Sequence, residues 1–167
     1  QEEGHAGVMR ETRATVRGGC GGTLVQDGRG RNELGRGWFA HWFDGDGMIS
    51  AIRFADSGVR YANRYVRTEN YRDETTAGRI RHRGFGKMRP GGLFANALRQ
   101  PANVSNTSVL MKAVRLHALW EGGPPYARDP ATLATRGVDS FGGQVQALQA
   151  HPTVDPATGW RPPIRFA

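Results

Sequence analysis

His41-Trp-Phe-Asp-Gly-Asp-Gly-Met-Ile-Ser-Ala-Ile-Arg-Phe-Ala-Asp-Ser-Gly-Val-Arg-Tyr-Ala-Asn-Arg-Tyr-Val-Arg-Thr68 is the best-specified stretch of the chain, and it reads as a β-hairpin. Residues alternate between the two faces of a strand. The first arm, Met48 to Phe54, therefore sets Met48, Ile52 and Phe54 on one face. The second arm sets Val59, Tyr61 and Tyr65 on one face, with Arg60 and Arg64 opposite. Asp56-Ser57-Gly58 is the turn: Gly58 can take a positive φ, and Asp56 can accept a hydrogen bond from the backbone two residues on.

Just before the hairpin, Asp44-Gly45-Asp46-Gly47 has the Asp-x-Asp opening of a calcium loop. The rest of that loop is absent, because Met48, Ile49 and Ala55 stand where positions five, six and twelve require ligands and a glycine. The expected role of Asp44, Gly45, Asp46 and Gly47 is structural, with aspartates capping tight turns and glycines letting strands pass closely.

On the N-terminal side, residues 1–37 are rich in glycine and arginine and sustain no period of 2 or 3.6. They read as a mobile leader with at most a short strand at Thr23 to Val25, which leaves residues 38–167 as the folded part. On the C-terminal side, Tyr71 to Gly92 is charged and broken by glycines, and reads as a long surface connection. Gly84-Phe85-Gly86 lacks the third glycine and the strand-to-helix setting of a phosphate-binding fingerprint. Leu93 to Leu98 suits one helical turn, ended by Pro101.

Ser108 to Met111 and Leu116 to Trp120 read as strands, with Leu116, Ala118 and Trp120 on one face. Pro124-Pro125 closes the second strand, and Asp129-Pro130-Ala131-Thr132 turns the chain into a short outer strand near Leu133. Strand, turn and strand in succession indicate an all-β fold made of antiparallel meanders.

Composition narrows the function. The chain has 167 residues, 38% of them hydrophobic, and a formal charge of +8. Its arginines are scattered instead of forming a stripe, which disfavours nucleic acid as a partner. Cys20 is alone, so neither an intrachain disulfide nor a cysteine zinc site can form. No apolar run is long enough to cross a bilayer, and no secretory signal opens the chain. Nor is there a Gly-x-Ser-x-Gly elbow, which argues against a hydrolase. His5, His41, His82 and His117 show no metal-ligand spacing.

Three blocks, in order, resemble the carotenoid cleavage oxygenases, the family that also contains the lignostilbene dioxygenases. They are the hairpin itself; Asn106 to Leu133, with Ala118-Leu119-Trp120-Glu121-Gly122-Gly123 at its centre; and Ala150-His151-Pro152-Thr153-Val154-Asp155-Pro156-Ala157-Thr158-Gly159. The resemblance runs from about His41 to Gly159, and the leader shares none of it. Val114 stands where the family usually has a glycine, and His117 where it usually has an apolar residue.

What the resemblance implies is a partial seven-bladed β-propeller, about its first third. The parent enzyme would use Fe(2+), held by four histidines, and O2 to cleave a conjugated carbon–carbon double bond. His151 would be the first of those ligands, its backbone held extended by Pro152. Glu121 would accept a hydrogen bond from a ligating histidine outside this chain. The implied substrate is an apolar polyene, a carotenoid or apocarotenoid, or else a stilbene. A cytoplasmic or plastid location with peripheral membrane contact would suit such substrates. With a single ligand this piece is not expected to be catalytic. Two further readings are a non-catalytic propeller fragment, suggested by Arg161 to Phe166, and a basic nucleic-acid-binding module.

Overall fold

The computed structural model describes residues 21–85, 101–112 and 114–151. The expectations for residues 1–20 and for the helical turn at Leu93 to Leu98 lie outside them.

The hairpin forms as β4 (Asp46–Ala55) and β5 (Gly58–Tyr65), in register from Ala55↔Gly58 to Met48↔Tyr65. Gly58 turns the corner at φ +120°. Met48, Ile52 and Phe54 do share a face, but it is the half-buried one. The core lies on the opposite face, where Ile49 and Ala51 are 0% and 1% exposed. Alternation assigns residues to faces; only the partner layer decides which face it covers.

A third strand, β1 (Gly22–Arg31), pairs antiparallel with β4 and gives a three-stranded sheet in the order β1-β4-β5. This corrects the expected leader: the strand is 10 residues long, not confined to Thr23 to Val25. Its sequence, GTLVQDGRGR, has little strand preference of its own. The edge of β4 provides the ladder that holds it, an instance of context overriding propensity. Next come β2 (Glu33–Leu34) and β3 (Gly37–Trp38), a small antiparallel pair, and a 3₁₀ turn at Trp42–Asp44.

The expected surface connection after the hairpin instead opens with a helix, α1 (Glu69–Ala77). Thr68 Oγ1 caps it by accepting the Tyr71 N–H at 3.1 Å, and Gly78 ends it in the left-handed region at φ +63°. ENYRDETTA carries no apolar stripe, so hydrophobic periodicity could not announce it. Polar burial holds it instead: Glu74 is 2% exposed, and its Oε1 accepts the backbone N–H groups of Arg81 and His82, both at 2.8 Å.

The second sheet is a four-stranded antiparallel meander of β6 (Ser108–Lys112), β7 (Arg115–Leu119), β8 (Tyr126–Arg128) and β9 (Thr135–Val138). The outer strand expected near Leu133 begins at Thr135, because Leu133 belongs to the preceding turn. It has φ +59° and donates its N–H to Asp129 O at 2.8 Å, while its side chain is fully buried.

The sheets meet through one core: Ile49, Ala51 and Val66 pack against Leu116, Ala118, Tyr126 and Leu133. Each large side chain buried there contributes about 1.5–3 kcal/mol. A second cluster covers the other face of the meander, where Leu119, Val145 and Leu148 pack with Leu110 and Phe141. Strand β7 is thus covered on both faces, which explains the unbroken buried run from Leu116 to Trp120.

Candidate functional site

The Asp44–Gly47 segment sits where the two sheets and the approach to α1 converge. Asp44 is buried, and its Oδ1 accepts the Phe85 N–H at 2.6 Å. Asp46, also buried, pairs with Arg31 at 2.6 Å. Burial pushes the Asp46 carboxyl up to about 6, the nearby Arg31 guanidinium opposing the shift. Gly47 donates to Val104 O at 2.9 Å and accepts the Val66 N–H at 2.7 Å. Asn106 Nδ2 closes the junction by donating to Phe43 O and Gly45 O at 2.9 and 2.7 Å. All of these contacts lie within the chain.

Glu121 follows β7 in the turn Glu121-Gly122-Gly123 and is exposed. Its neighbour Trp120 is 5% exposed and meets Phe85 edge-on at 6.1 Å. Asn103 braces the turn, its Nδ2 donating to Pro124 O at 2.8 Å. Beyond β9 the chain returns to this place: Leu148 donates its N–H to Gly123 O at 3.4 Å, and Ala150 is fully buried. His151 comes next, with its ring exposed. The fold therefore brings the segment bearing His151 to the turn bearing Glu121. Neither side chain makes a hydrogen bond or ion pair with the other described residues.

Sequence reasoning did not place two buried polar groups in contacts of their own. Arg128, 1% exposed, donates from Nη1 to Tyr65 O and Thr135 Oγ1, each at 3.0 Å, and from Nη2 to Arg64 O at 3.3 Å and to Leu133 O. It staples the end of β5 to the turn before β9. Nearby Asp27 is 9% exposed, and desolvation pushes its carboxyl up to about 8. The second group is His117, 1% exposed, whose Nε2 lies 3.1 Å from Asp139 Oδ2. Arg128 looks like an ordinary solvent-facing residue in the sequence, whereas the one sequence signal for His117 is that it stands where the resembling family usually has an apolar residue.

For a metal, the described residues hold no group of three or more His, Cys, Asp or Glu side chains that could enclose an ion. His41 and His82 are engaged locally: His41 Nδ1 accepts the Phe43 N–H at 3.2 Å, and His82 Nε2 lies 2.8 Å from Asp73. His151 is exposed and has no hydrogen bond or ion pair to the other described residues. Among the described residues, no helix is long and apolar enough to cross a membrane.

Comparison with known proteins fits this geometry. Residues 18–160 match the family described as retinal pigment epithelial membrane protein, RPE65. The match begins upstream of β1, earlier than the His41 start inferred from the motifs. The chain is 42% identical over 146 residues to the apocarotenoid-15,15'-oxygenase of Synechocystis sp., covering 82% of this chain and 29% of that protein. To resveratrol cleavage oxygenase 1 of Aspergillus fumigatus it is 42% identical over 121 residues, 71% of this chain and 23% of the relative. The solved structure of cobalt-substituted Synechocystis ACO superposes with a TM-score of 0.74 at 40% identity, over 84% of this chain and 31% of that one. The chain thus spans less than a third of the length of these relatives. Its two packed antiparallel sheets are a partial β-propeller. Because the match runs through both sheets and on past His151, the chain belongs to the RPE65 family, that of the retinal pigment epithelial membrane protein.

Proposed function

We propose that this chain is part of a non-haem iron dioxygenase that cleaves a conjugated carbon–carbon double bond of a carotenoid or apocarotenoid into two carbonyl products. The observation carrying this reading is the 42% identity to an apocarotenoid oxygenase over 146 residues, beside a family match over residues 18–160 that takes in both the Glu121 turn and the segment leading to His151. His151 would hold Fe(2+) together with histidines outside this chain. Glu121 would orient one of them by accepting its ring N–H, which fixes the tautomer and the ring plane. Iron would supply the activation of O2 toward the double bond. The chain's own contribution is a rigid two-sheet scaffold that holds Glu121 and His151 on neighbouring segments.

A stilbene is the second substrate reading, favoured by the equal identity to a resveratrol cleavage oxygenase. Apolar substrates of either kind suit peripheral membrane contact in a cytoplasmic or plastid compartment. The test is the full-length protein, loaded with ferrous iron and given an apocarotenoid aldehyde or a hydroxystilbene in air. Aldehyde products and oxygen uptake, both lost in His151→Ala, are expected. Intact substrate with no oxygen uptake would overturn the proposal.

A further inference from the structure

The approach from β9 to His151 contains no helix or strand. Its placement depends on a few contacts made against the outer face of β6 and β7. The first is centred on Asp139: its Oδ1 accepts the Phe141 N–H at 3.1 Å, while its Oδ2 lies 3.1 Å from His117 Nε2 and 3.2 Å from Arg115 Nη1. One carboxylate thus ties the start of the segment to mid-strand β7. His117 is buried, whereas Arg115 is 66% exposed in its side chain, so water competes far more for the second contact than for the first.

Phe141 then turns the chain at φ +50°, followed by Gly142 and Gly143, both also in the left-handed region. A phenylalanine is uncommon there, and the surroundings must hold it. They do: its ring sits 5.2 Å from the His117 ring and 4.6 Å from Lys112 Nζ. Val145 and Leu148 follow into the apolar cluster with Leu119. The Asp139 carboxyl is held below its ordinary range chiefly by the hydrogen bond from His117, which favours the charged acceptor.

We propose that His117, through its hydrogen bond to Asp139, is a positioning residue that fixes the segment presenting His151 to the iron. The inference rests on the reading of His151 as a ligand. The resemblance implies an apolar residue at this position; here a buried histidine lies 3.1 Å from Asp139 instead. An apolar side chain of similar size would fill the space but leave Asp139 held mainly by the exposed Arg115, so the turn at Phe141 would loosen. The effect on iron passes through the chain and not through a direct bond to a ligand. It should therefore fall near the lower end of the 10–100-fold found for groups that touch metal ligands.

The test uses full-length protein and two readouts: ferrous iron affinity, and hydrogen exchange of the amides from Phe141 to Leu148. His117→Leu should weaken iron about tenfold and speed exchange in that segment, with melting of the rest of the protein little changed. His117→Gln, which keeps an N–H donor directed at Asp139, should restore most of both. Arg115→Ala should change neither. If His117→Leu cannot be obtained folded, Asp139→Ala removes the same contact from the loop side, with the same expectation. Wild-type affinity and exchange in the folded Leu or Ala variant, or a Gln variant no better than Leu, overturn the inference. Iron binding that survives His151→Ala overturns the ligand reading itself and, with it, the role given to His117. The exchange readout tells the two failures apart, since a loosened segment without a change in iron affinity leaves the clasp in place but denies its effect on the metal.

Discussion

Gly47→Ala is the substitution that tests the junction between the sheets most directly. A Cβ built on Gly47 would lie 1.9 Å from Ser105 O and 2.8 Å from Val104 O, both backbone atoms. Non-bonded heavy atoms are comfortable at about 3.5 Å, so the 104–105 backbone would have to retreat by roughly 1.5 Å. That retreat breaks the Gly47 N–H bond to Val104 O, now 2.9 Å, and disturbs the core beside Ile49. Overpacking of this kind costs about 1–3 kcal/mol, and a buried backbone group left without its partner about 1–3 kcal/mol more. The expected loss is about 3–5 kcal/mol, read as a lowered urea midpoint with an unchanged slope in full-length protein. Gly28→Ala is the control. It lies on the neighbouring strand opposite Met48, and a Cβ there meets nothing within 4 Å. Alanine at such a site should be neutral or stabilise by up to about 1 kcal/mol. A Gly47→Ala protein within about 1 kcal/mol of wild type, or a Gly28→Ala protein equally damaged, would refute the close-approach argument.

Three other outcomes follow from the same physics. Arg128→Met removes the donors to Arg64 O, Tyr65 O, Leu133 O and Thr135 Oγ1. It should cost about 3 kcal/mol in denaturant unfolding, with Arg128→Lys recovering less than half because an ammonium lacks the planar fork. Equal stability of the Met variant would mean that desolvation of the guanidinium cancels its bonds. Asp27 has its carboxyl raised from 3.8 to about 8, so between these values the folded chain keeps a proton that the unfolded chain releases. Its contribution to stability is full below pH 4 and is lost as pH rises toward 8; Asp27→Asn should flatten that slope, and parallel pH profiles for the two proteins would contradict the assignment. Finally, the 167-residue chain alone should bind ferrous iron no better than its His151→Ala variant. Stoichiometric, His151-dependent binding in a calorimetric titration would show that the chain holds a complete site.

Strand alternation and turn chemistry carried much of the architecture. The β4–β5 hairpin and the β6–β7 pair are local patterns, set by period-2 spacing and by glycine and proline; the three-residue strand β8 (Tyr126–Arg128) was not among the strands read from the sequence. The motif blocks around Glu121 and His151 were equally legible, because a resemblance needs only residue identity in order. What local pattern could not encode was which layer covers which face. Ile49 and Ala51 are core, and Met48, Ile52 and Phe54 are not, because the second sheet packs on the odd-numbered side. Strand β1 exists because β4 presents an edge to it, and α1 because Thr68 caps it and Glu74 is satisfied by Arg81 and His82.

The candidate site divides in the same way. Sequence alone determined that this is a chain of antiparallel strands with Glu121 at a strand end and His151 directly before a proline, since those properties depend on residues adjacent in the chain. Tertiary structure decided that Leu148 returns to Gly123 and so brings the two segments together, and that His117 and Arg128 are buried and bonded. Both results depend on atoms far apart in sequence, where burial changes the energy of a polar group more than its own identity does.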